Sequence, residues 1–196
     1  MKQNILLVLG CVFCCILLVI SCRYPTYRHK VGQYLNADDS VSKVKYMANN
    51  YRSYFKLREG TGKNREESLK GFKNWDGALN PDVKITSFSR VKDTVTVHFV
   101  EQNDFSKLID YPGWRGTEVI TFDNSGLITE MIYIPDTTNP PYRSWLAPAL
   151  DWLQQHEPDS LALVYKDNRL VQTEYTAKLW TRLLKRWRAA TGRRPG

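Results

Sequence analysis

The sequence predicts an α+β fold in which one curved antiparallel sheet packs against helices on a single face. The clearest observation is a β-hairpin at 117–135, where two alternating β-branched runs flank the turn Asp123-Asn124-Ser125-Gly126. A second pair of alternating runs, at 82–89 and 94–102, precedes this hairpin. Apolar residues at helical spacing come before all of these runs. The predicted order of helix, helix, strand, helix and then four strands is typical of an α+β layer architecture.

The N-terminal residues have the pattern of an export signal. Lys2 precedes an uncharged apolar run at 5–20, and the small residue Ser21 follows it. All 4 cysteines lie within the first 22 residues, so the chain after a cleaved signal would hold no disulfide framework and no cysteine metal site. An uncleaved single N-terminal membrane anchor is the alternative, because about 20 apolar residues span a bilayer.

The segment Val19-Ile20-Ser21-Cys22 resembles the lipobox of bacterial lipoproteins. The resemblance implies that a signal peptide at 1–21 is removed, that Cys22 carries the lipid that binds the membrane, and that 22–28 forms a short tether. Arg23 stands where an aspartate would imply inner-membrane retention, so the resemblance implies an envelope protein on the outer membrane or cell surface. The formal net charge of +8 suits anionic lipid or acidic envelope polymers, and no nucleic acid is expected as a partner of an exported protein.

Three helices are predicted before the strand pair at 82–102. Apolar spacing predicts the first at 27–37, and Ser40 begins the second, which ends at 49–50. Asn64 caps the third, at 65–79. The expected inward-facing residues are Val31, Tyr34 and Leu35 on the first helix, Val41, Val44, Met47 and Ala48 on the second, and Leu69, Phe72 and Trp75 on the third.

Strand and loop predictions complete the sheet. The aromatic run at 51–57 predicts a strand, and Gly60-Thr61-Gly62-Lys63 predicts a loop that lacks the glycine spacing of a phosphate-binding loop. Residues 103–114 are predicted as a long connection. In the hairpin, alternation and turn position set the register. The expected pairs are Phe122 with Leu127, Ile120 with Thr129, and Glu118 with Met131.

Residues 137–196 are predicted as a helical extension. It comprises a linker, a helix at 144–155, a short apolar segment from Pro158, and a last helix that Thr173 caps. That last helix has an apolar stripe at i, i+3, i+4 and i+7 with basic residues around it. The stripe could lie on anionic lipid, or dock onto the sheet or the mouth of a pocket. It consists of Trp180, Leu183, Leu184 and Trp187.

The order of elements from Val31 to Asp136 resembles the nuclear transport factor 2-like superfamily, particularly its SnoaL-like branch. The resemblance rests on the break at Asp38-Asp39, the loop Gly62-Lys63-Asn64-Arg65-Glu66-Glu67, Trp75 late in the third helix, and Gly126-Leu127-Ile128-Thr129-Glu130-Met131. It implies a domain at 29–136 with a cone-shaped fold that encloses an apolar pocket between sheet and helices. The family includes isomerases, cyclases, epoxide hydrolases, dehydratases, and non-catalytic binding or assembly domains.

Glu118 is the first candidate for a functional residue. Alternation puts it on the face of Ile120 and Phe122, where loss of hydration would raise the pKa of its carboxyl. In ketosteroid isomerases, which the resemblance includes, the matching position holds the acid of the oxyanion hole. The positions of the isomerases' catalytic base and first-helix tyrosine fall near Phe55 and Val31 in this sequence. Neither residue can play the matching role, which argues against that reaction. The alternative is a strand-end glutamate that reaches solvent or pairs with a lysine.

The pocket lining expected around Glu118 consists of side chains that could equally belong to the core. They are Tyr54, Phe72, Trp75, Met131 and Tyr133.

The histidines and Glu101 support fewer hypotheses. Alternation puts His98 on the outer sheet face, at solvent or in a dimer contact, whereas Glu101 has inner parity at a strand end, where a bulge could redirect it. His29 and His156 are isolated, so no metal site is expected, and no motif points to a cofactor.

These observations favour a lipid-anchored envelope protein whose domain binds an apolar or amphipathic molecule, or a partner, without catalysis. One alternative is an isomerase, cyclase or dehydratase that uses Glu118 as acid or base. Another is an assembly module that forms a homodimer through the outer sheet face and docks through the C-terminal extension.

Overall fold

The computed structural model describes residues 27–37, 39–56 and 60–193. The predicted signal peptide at 1–21, Cys22 and most of the predicted tether lie outside these residues. Within the described ranges, no helix combines the length and the apolar character needed to cross a membrane.

One six-stranded curved sheet forms the centre of the α+β fold, in the order β2-β1-β6-β5-β4-β3. Strands β3 to β6 form an antiparallel meander, and β1 pairs with β6 in parallel. The sheet is therefore mixed, whereas the sequence predicted only antiparallel pairs. No hairpin joins β1 to β6, so nothing local dictates their relative direction. The strands are β1 (Met47–Phe55), β2 (Lys63–Asn64), β3 (Asp82–Val91), β4 (Thr94–Gln102), β5 (Trp114–Phe122) and β6 (Ile128–Pro135).

Helices pack on the concave face of this sheet and at its end. The first, α1, covers residues 27–35, and its predicted inward stripe of Val31, Tyr34 and Leu35 is buried. A two-stranded hairpin, β7 and β8, separates the last two helices. The remaining elements are α2 (Ser40–Val44), α3 (Arg65–Asn74), a 3₁₀ turn (Asp76–Leu79), α4 (Asp104–Leu108), α5 (Tyr142–His156), α6 (Pro158–Val164), β7 (Tyr165–Lys166), β8 (Arg169–Leu170) and α7 (Glu174–Thr191).

The second helix is much shorter than the sequence predicted. It ends at Val44, and Met47 and Ala48 belong instead to β1, where both are buried. Val41, expected to face inward, is 68% exposed. Pairing with β6 gives this segment both backbone partners and a buried face, and this tertiary gain outweighs a weak helical propensity.

Two further boundaries differ from the prediction. The third helix ends at Asn74 and continues as the 3₁₀ turn, although Asn64 caps it as expected through a reciprocal capping box with Glu67. The predicted connection at 103–114 contains α4. Asn103 and Ser106 form a buried capping box at its start, a signal that the sequence interpretation overlooked.

The 117–135 hairpin forms with a register two residues away from the predicted one. Glu118 pairs with Tyr133 and not with Met131, and Ile120 pairs with Met131 and not with Thr129. The shift arises because the Asp123 carboxylate accepts the N–H groups of Ser125 and Leu127, which holds a wider turn next to a bulge. A shift of two leaves each side chain on its predicted face. At the turn itself the shift is one residue, because Phe122 pairs with Ile128 and not with Leu127, and the irregularity between Thr121 and Phe122 adds the second.

The C-terminal extension docks through the predicted stripe of α7. Trp180, Leu183, Leu184 and Trp187 are buried in a cluster with residues of α4, α5, α6 and the 3₁₀ turn, so the stripe covers helices and not the sheet. Arg188 adds a polar link, because its guanidinium donates to the Leu108 carbonyl and to Asp110. A second apolar cluster fills the space between α1 and the inner sheet face.

Candidate functional site

A cavity of about 340 Å³ lies between the inner sheet face and helices α1, α2 and α3. Its walls combine apolar surface with an unusual number of ionisable groups. The apolar part includes Leu35, Met47, Leu69, Phe72, Trp75 and Met131. The polar part includes Tyr34, Lys43, Tyr51, Asp76, Glu101 and Glu118. We call this space the inner chamber.

Glu118 reaches the inner chamber from the middle of β5. Strand alternation turns it to the same face as Ile120 and Phe122, and only 8% of it is exposed. Its Oε2 atom is buried and has no hydrogen-bond partner in the described part of the chain. Burial raises the pKa of Glu118 to about 7, with a smaller upward effect of Glu101 and an opposing effect of the Lys43 ammonium. The carboxyl can therefore hold or release a proton near neutral pH.

Two tyrosines stand beside Glu118. The hydroxyls of Tyr34 on α1 and Tyr51 on β1 lie 3.2 Å apart and share a hydrogen bond. Burial raises the pKa of both phenols, and for Tyr51 the value is about 12. Both groups therefore stay neutral at physiological pH and act as hydrogen-bonding hydroxyls.

Lys43 brings a positive charge into the same chamber from α2. Its ammonium lies 4.0 Å from the centre of the Phe72 ring and 4.9 Å from that of Tyr34. Burial lowers the pKa of Lys43, and the nearby carboxyls of Glu118, Asp76 and Glu101 oppose that shift. The structure shows no ion pair between this ammonium and a carboxylate of the described residues.

Glu101 and Asp76 add two more carboxyls at the far end of the chamber. Burial raises the pKa of Glu101 to about 7, and Asp76 adds to the shift. The pKa of Asp76 is raised by burial as well. Asp76 is exposed on one side, but many protein atoms lie around its carboxyl, and these atoms account for the direction of the pKa shift.

A second cavity of about 660 Å³ adjoins the inner chamber. Trp75, Asp76, Glu101 and Gln172 line both, so the two share a wall. This outer chamber is mainly aromatic, and the C-terminal extension supplies Tyr142, Leu170 and Gln172 to it. Its aromatic lining consists of Phe55, Trp75, Phe105, Trp114, Tyr133 and Tyr142.

The residues expected to surround Glu118 fall into three groups. Phe72, Trp75 and Met131 line the inner chamber with it, and Tyr133 lines the outer one. Tyr54 is not part of the lining of either chamber. It packs beside Gly62, where an added Cβ would lie 2.7 Å from its ring.

Sequence reasoning missed Lys43, Asp76 and the tyrosine pair as members of the site. The apolar spacing predicts Tyr34 on the core side of a helix, and the aromatic run at 51–57 predicts a strand for Tyr51 without giving it a direction. Lys43 could not be placed because the helix that carries it was predicted too long. The available signal was the cap at Asp39, which puts Lys43 in the first turn of the second helix.

His98 and the remaining candidates lie elsewhere. His98 is exposed on the outer sheet face, and its Nδ1 lies 2.8 Å from the Thr117 hydroxyl. Among the described residues, no group of three or more His, Cys, Asp or Glu side chains is placed to hold a metal ion.

Comparison with known proteins yields similarity to solved structures only. Neither a protein-family model nor a curated protein matches the sequence. A Δ5-3-ketosteroid isomerase from Mycobacterium sp. matches 58% of this chain and 93% of its own at 15% identity and a TM-score of 0.45. The epoxide hydrolase/cyclase-like enzyme SalBIII of salinomycin pyran-ring formation matches 59% and 95% at 16% identity and a TM-score of 0.47.

An NTF2-like protein of unknown function from Cytophaga hutchinsonii matches 56% of this chain and 89% of its own at 12% identity and a TM-score of 0.43. Sequence identities this low give information about the fold and none about the activity of this chain. The chain is similar to these solved structures over little more than half of its length.

Proposed function

We propose that this protein binds a small amphipathic molecule in the two joined chambers without transforming it. The observation that carries the proposal is the shared wall of Trp75, Asp76, Glu101 and Gln172. These four residues put the chamber with the ionisable groups directly beside the chamber with the aromatic rings, so one ligand at this boundary would meet both kinds of surface. A polar head in the inner chamber and an apolar body in the outer one match this division.

The C-terminal extension supports the same proposal. Gln172 precedes α7 and lines both chambers, and the β7–β8 hairpin contributes Arg169 and Leu170 to the outer one. The buried stripe of α7 holds this wall in place. The extension therefore enlarges the binding space beyond what sheet and first three helices enclose.

Native mass spectrometry of the full chain, released from detergent micelles and compared with the denatured mass, tests the binding proposal. A copurified or added amphiphile should appear at one molecule per chain. Trp75→Ala, which opens the shared wall, should reduce its occupancy, whereas Trp145→Ala, at an exposed position outside both linings, should not. Equal occupancy in both variants, or no binding at all, would contradict the proposal.

Proton-transfer catalysis is the second candidate. Burial raises the pKa of both Glu101 and Glu118 to about 7 in one chamber, so one carboxyl can accept a proton while the other donates a hydrogen bond. Deuterium exchange at the α-carbon of cyclohexenone in D₂O, followed by NMR, is a direct test. The protein should accelerate it, and Glu101→Gln and Glu118→Gln should each abolish the acceleration. An unchanged exchange rate leaves binding alone as the function.

We also propose that a lipid on Cys22 holds the domain at the envelope membrane, on the outer membrane or cell surface. The support is the apolar run before Ser21 and the lipobox-like segment that ends at Cys22. Cys22→Ser should leave an unprocessed precursor or release the protein from the membrane fraction, and it should remove labelling by a palmitate analogue. Unchanged labelling would rule out Cys22 as the attachment site.

A further inference from the structure

In the inner chamber the Lys43 ammonium lies against the rings of Phe72 and Tyr34, which together we call the aromatic seat. Lys43 Nζ lies 4.0 Å from the centre of the Phe72 ring and 4.9 Å from that of Tyr34. Aromatic faces attract cations through their quadrupole, and the attraction grows where water is excluded. The seat is thus suited to a positive group, whichever molecule supplies it.

Carboxyls surround this seat without pairing with Lys43. Glu118, Glu101 and Asp76 line the same chamber, and the Oε2 atom of Glu118 is buried there without a hydrogen-bond partner among the described residues. Among the described residues, Lys63 is the other cation of the lining, so three carboxyls of these residues face two ammonium groups. A buried carboxylate without a partner costs free energy that a cation or a hydrogen-bond donor would offset.

The segment that carries Lys43 is built so that the side chain can leave. Each of the five residues of helix α2 keeps part of its surface exposed, although protein atoms surround the Lys43 ammonium, and the Asp39 side chain caps the helix. A lysine has a long flexible stem and a strongly hydrated head, so it regains hydration when it swings into solvent. Phe72, in contrast, is buried on α3 and stays in place.

We propose that the inner chamber binds the ammonium head of an organic cation, and that the Lys43 ammonium occupies this position until the ligand displaces it. The inference rests on the proposed binding function and adds the charge of the ligand to it. Exchange of one ammonium for another leaves the charge balance around Glu118, Glu101 and Asp76 unchanged. The same carboxyls would repel an anionic head. A neutral head would leave the aromatic seat without a cation.

Three probes of equal chain length test the charge. Hexyltrimethylammonium, hexanol and hexyl sulfate are titrated calorimetrically into the full chain held in phosphatidylcholine nanodiscs, with protein-free discs as the blank. We expect the cation to bind about tenfold more tightly than hexanol, and the sulfate to bind more weakly than both. Hexanol binding equal to or tighter than the cation overturns the inference alone. Binding of none of the three overturns the proposed binding function as well.

Variants of α2 test the displacement. Lys43→Met keeps the length of the side chain without its charge, so it should tighten binding of hexyltrimethylammonium about tenfold because the competing cation is gone. Lys45→Met, at an exposed position of the same turn, should leave the affinity unchanged. Unchanged or weaker cation binding by Lys43→Met overturns the displacement. Lys43→Gln provides a second, polar replacement, and the far-ultraviolet circular dichroism of both variants should match that of the parent.

Discussion

Glu118 lies between Gly116 and Ile120 on the inner face of β5, where its carboxyl loses most of its hydration. The pKa of this group is raised from 4.5 to about 7. The folded state therefore binds more protons than the unfolded state between these two values, and the free energy of unfolding decreases as the pH rises through that range. A residue retained at such a cost in free energy is consistent with a role in the chamber.

Glu118→Gln removes the ionisation and keeps the shape. At about pH 8 the variant should be more stable than the parent by about 1–3 kcal/mol, and near pH 4.5 the two should be nearly equal, because the parent carboxyl is then protonated in the folded state. Urea unfolding at both pH values measures the difference. Asp151→Asn, at an exposed position of α5, serves as the control. A Glu118→Gln variant that is less stable at the higher pH would show that the carboxylate stabilises the fold.

Gly116 allows two aromatic rings to approach β5. An added Cβ would lie 2.6 Å from Cε2 of Tyr133 and 3.2 Å from Cζ of Phe99. Gly116→Ala should therefore destabilise the fold by about 1–3 kcal/mol and displace the Tyr133 ring from the outer chamber. Gly32→Ala in α1 is the matched control, since nothing lies within 4 Å of the added Cβ. Equal melting temperatures for the two variants would contradict this account of the packing.

Single side chains also join whole elements, and Asn36 is the clearest case. Its amide joins the end of α1 to the edge strand β3, because Nδ2 donates to the Val83 carbonyl at 3.0 Å and Oδ1 accepts the Val83 N–H at 2.7 Å. Strand β3 lies at the end of the sheet and has a strand neighbour on one side only. The side chain thus replaces a strand partner for one residue of this edge.

Replacement of Asn36 should loosen α1 from the sheet. Asn36→Ala removes both hydrogen bonds and should cost about 1–2 kcal/mol, whereas Asn36→Asp keeps the acceptor for the Val83 N–H and should cost less. Thermal unfolding gives the stabilities, and hydrogen exchange of the Val83 amide reports the contact itself. Exchange at Val83 that is equally slow in the parent and in Asn36→Ala would refute the link.

At the scale of the whole molecule, the apolar interior has two parts. One lies between α1 and the sheet, and the other lies under α7. The second part contains Leu79, Phe105 and Tyr111, which precede position 136, together with Trp180 and Leu184, which follow it. The extension is therefore packed into the same folded body as the sheet, and its loss would expose residues of the outer chamber such as Phe105.

A substitution of Trp180 tests whether the two parts of the apolar interior unfold together. Its ring is fully buried, and its indole N–H donates to the Val164 carbonyl at 3.2 Å. Trp180→Ala should cost about 3–5 kcal/mol and lower the midpoint of one common transition. Trp145→Phe, at a partly exposed position of α5, should have an effect below about 0.5 kcal/mol. Two separate calorimetric transitions, with the sheet transition unmoved, would show that the extension unfolds on its own.

Local patterns in the sequence were sufficient for several features. Alternation predicted β3, β4 and the 117–135 hairpin, and side-chain caps at Asn64 and Thr173 marked where α3 and α7 begin. Parity placed Glu118 on the inner face and gave Glu101 the same parity, but it left the direction of Glu101 open at the strand end. These features depend on neighbours a few residues apart, so periodicity and capping chemistry contain the information.

The sequence by itself therefore determined an α+β order of elements, the faces of β4, β5 and β6, and the apolar stripe of α7. Only the tertiary structure decided the parallel pairing of β1 with β6, the early end of α2 and the extension's share of the outer chamber. It also brought Lys43, Asp76, Glu101 and Glu118 into one cavity, although they belong to four separate elements. The physical reason is that long-range pairing and desolvation depend on which surfaces meet in space, and no spacing along the chain specifies this.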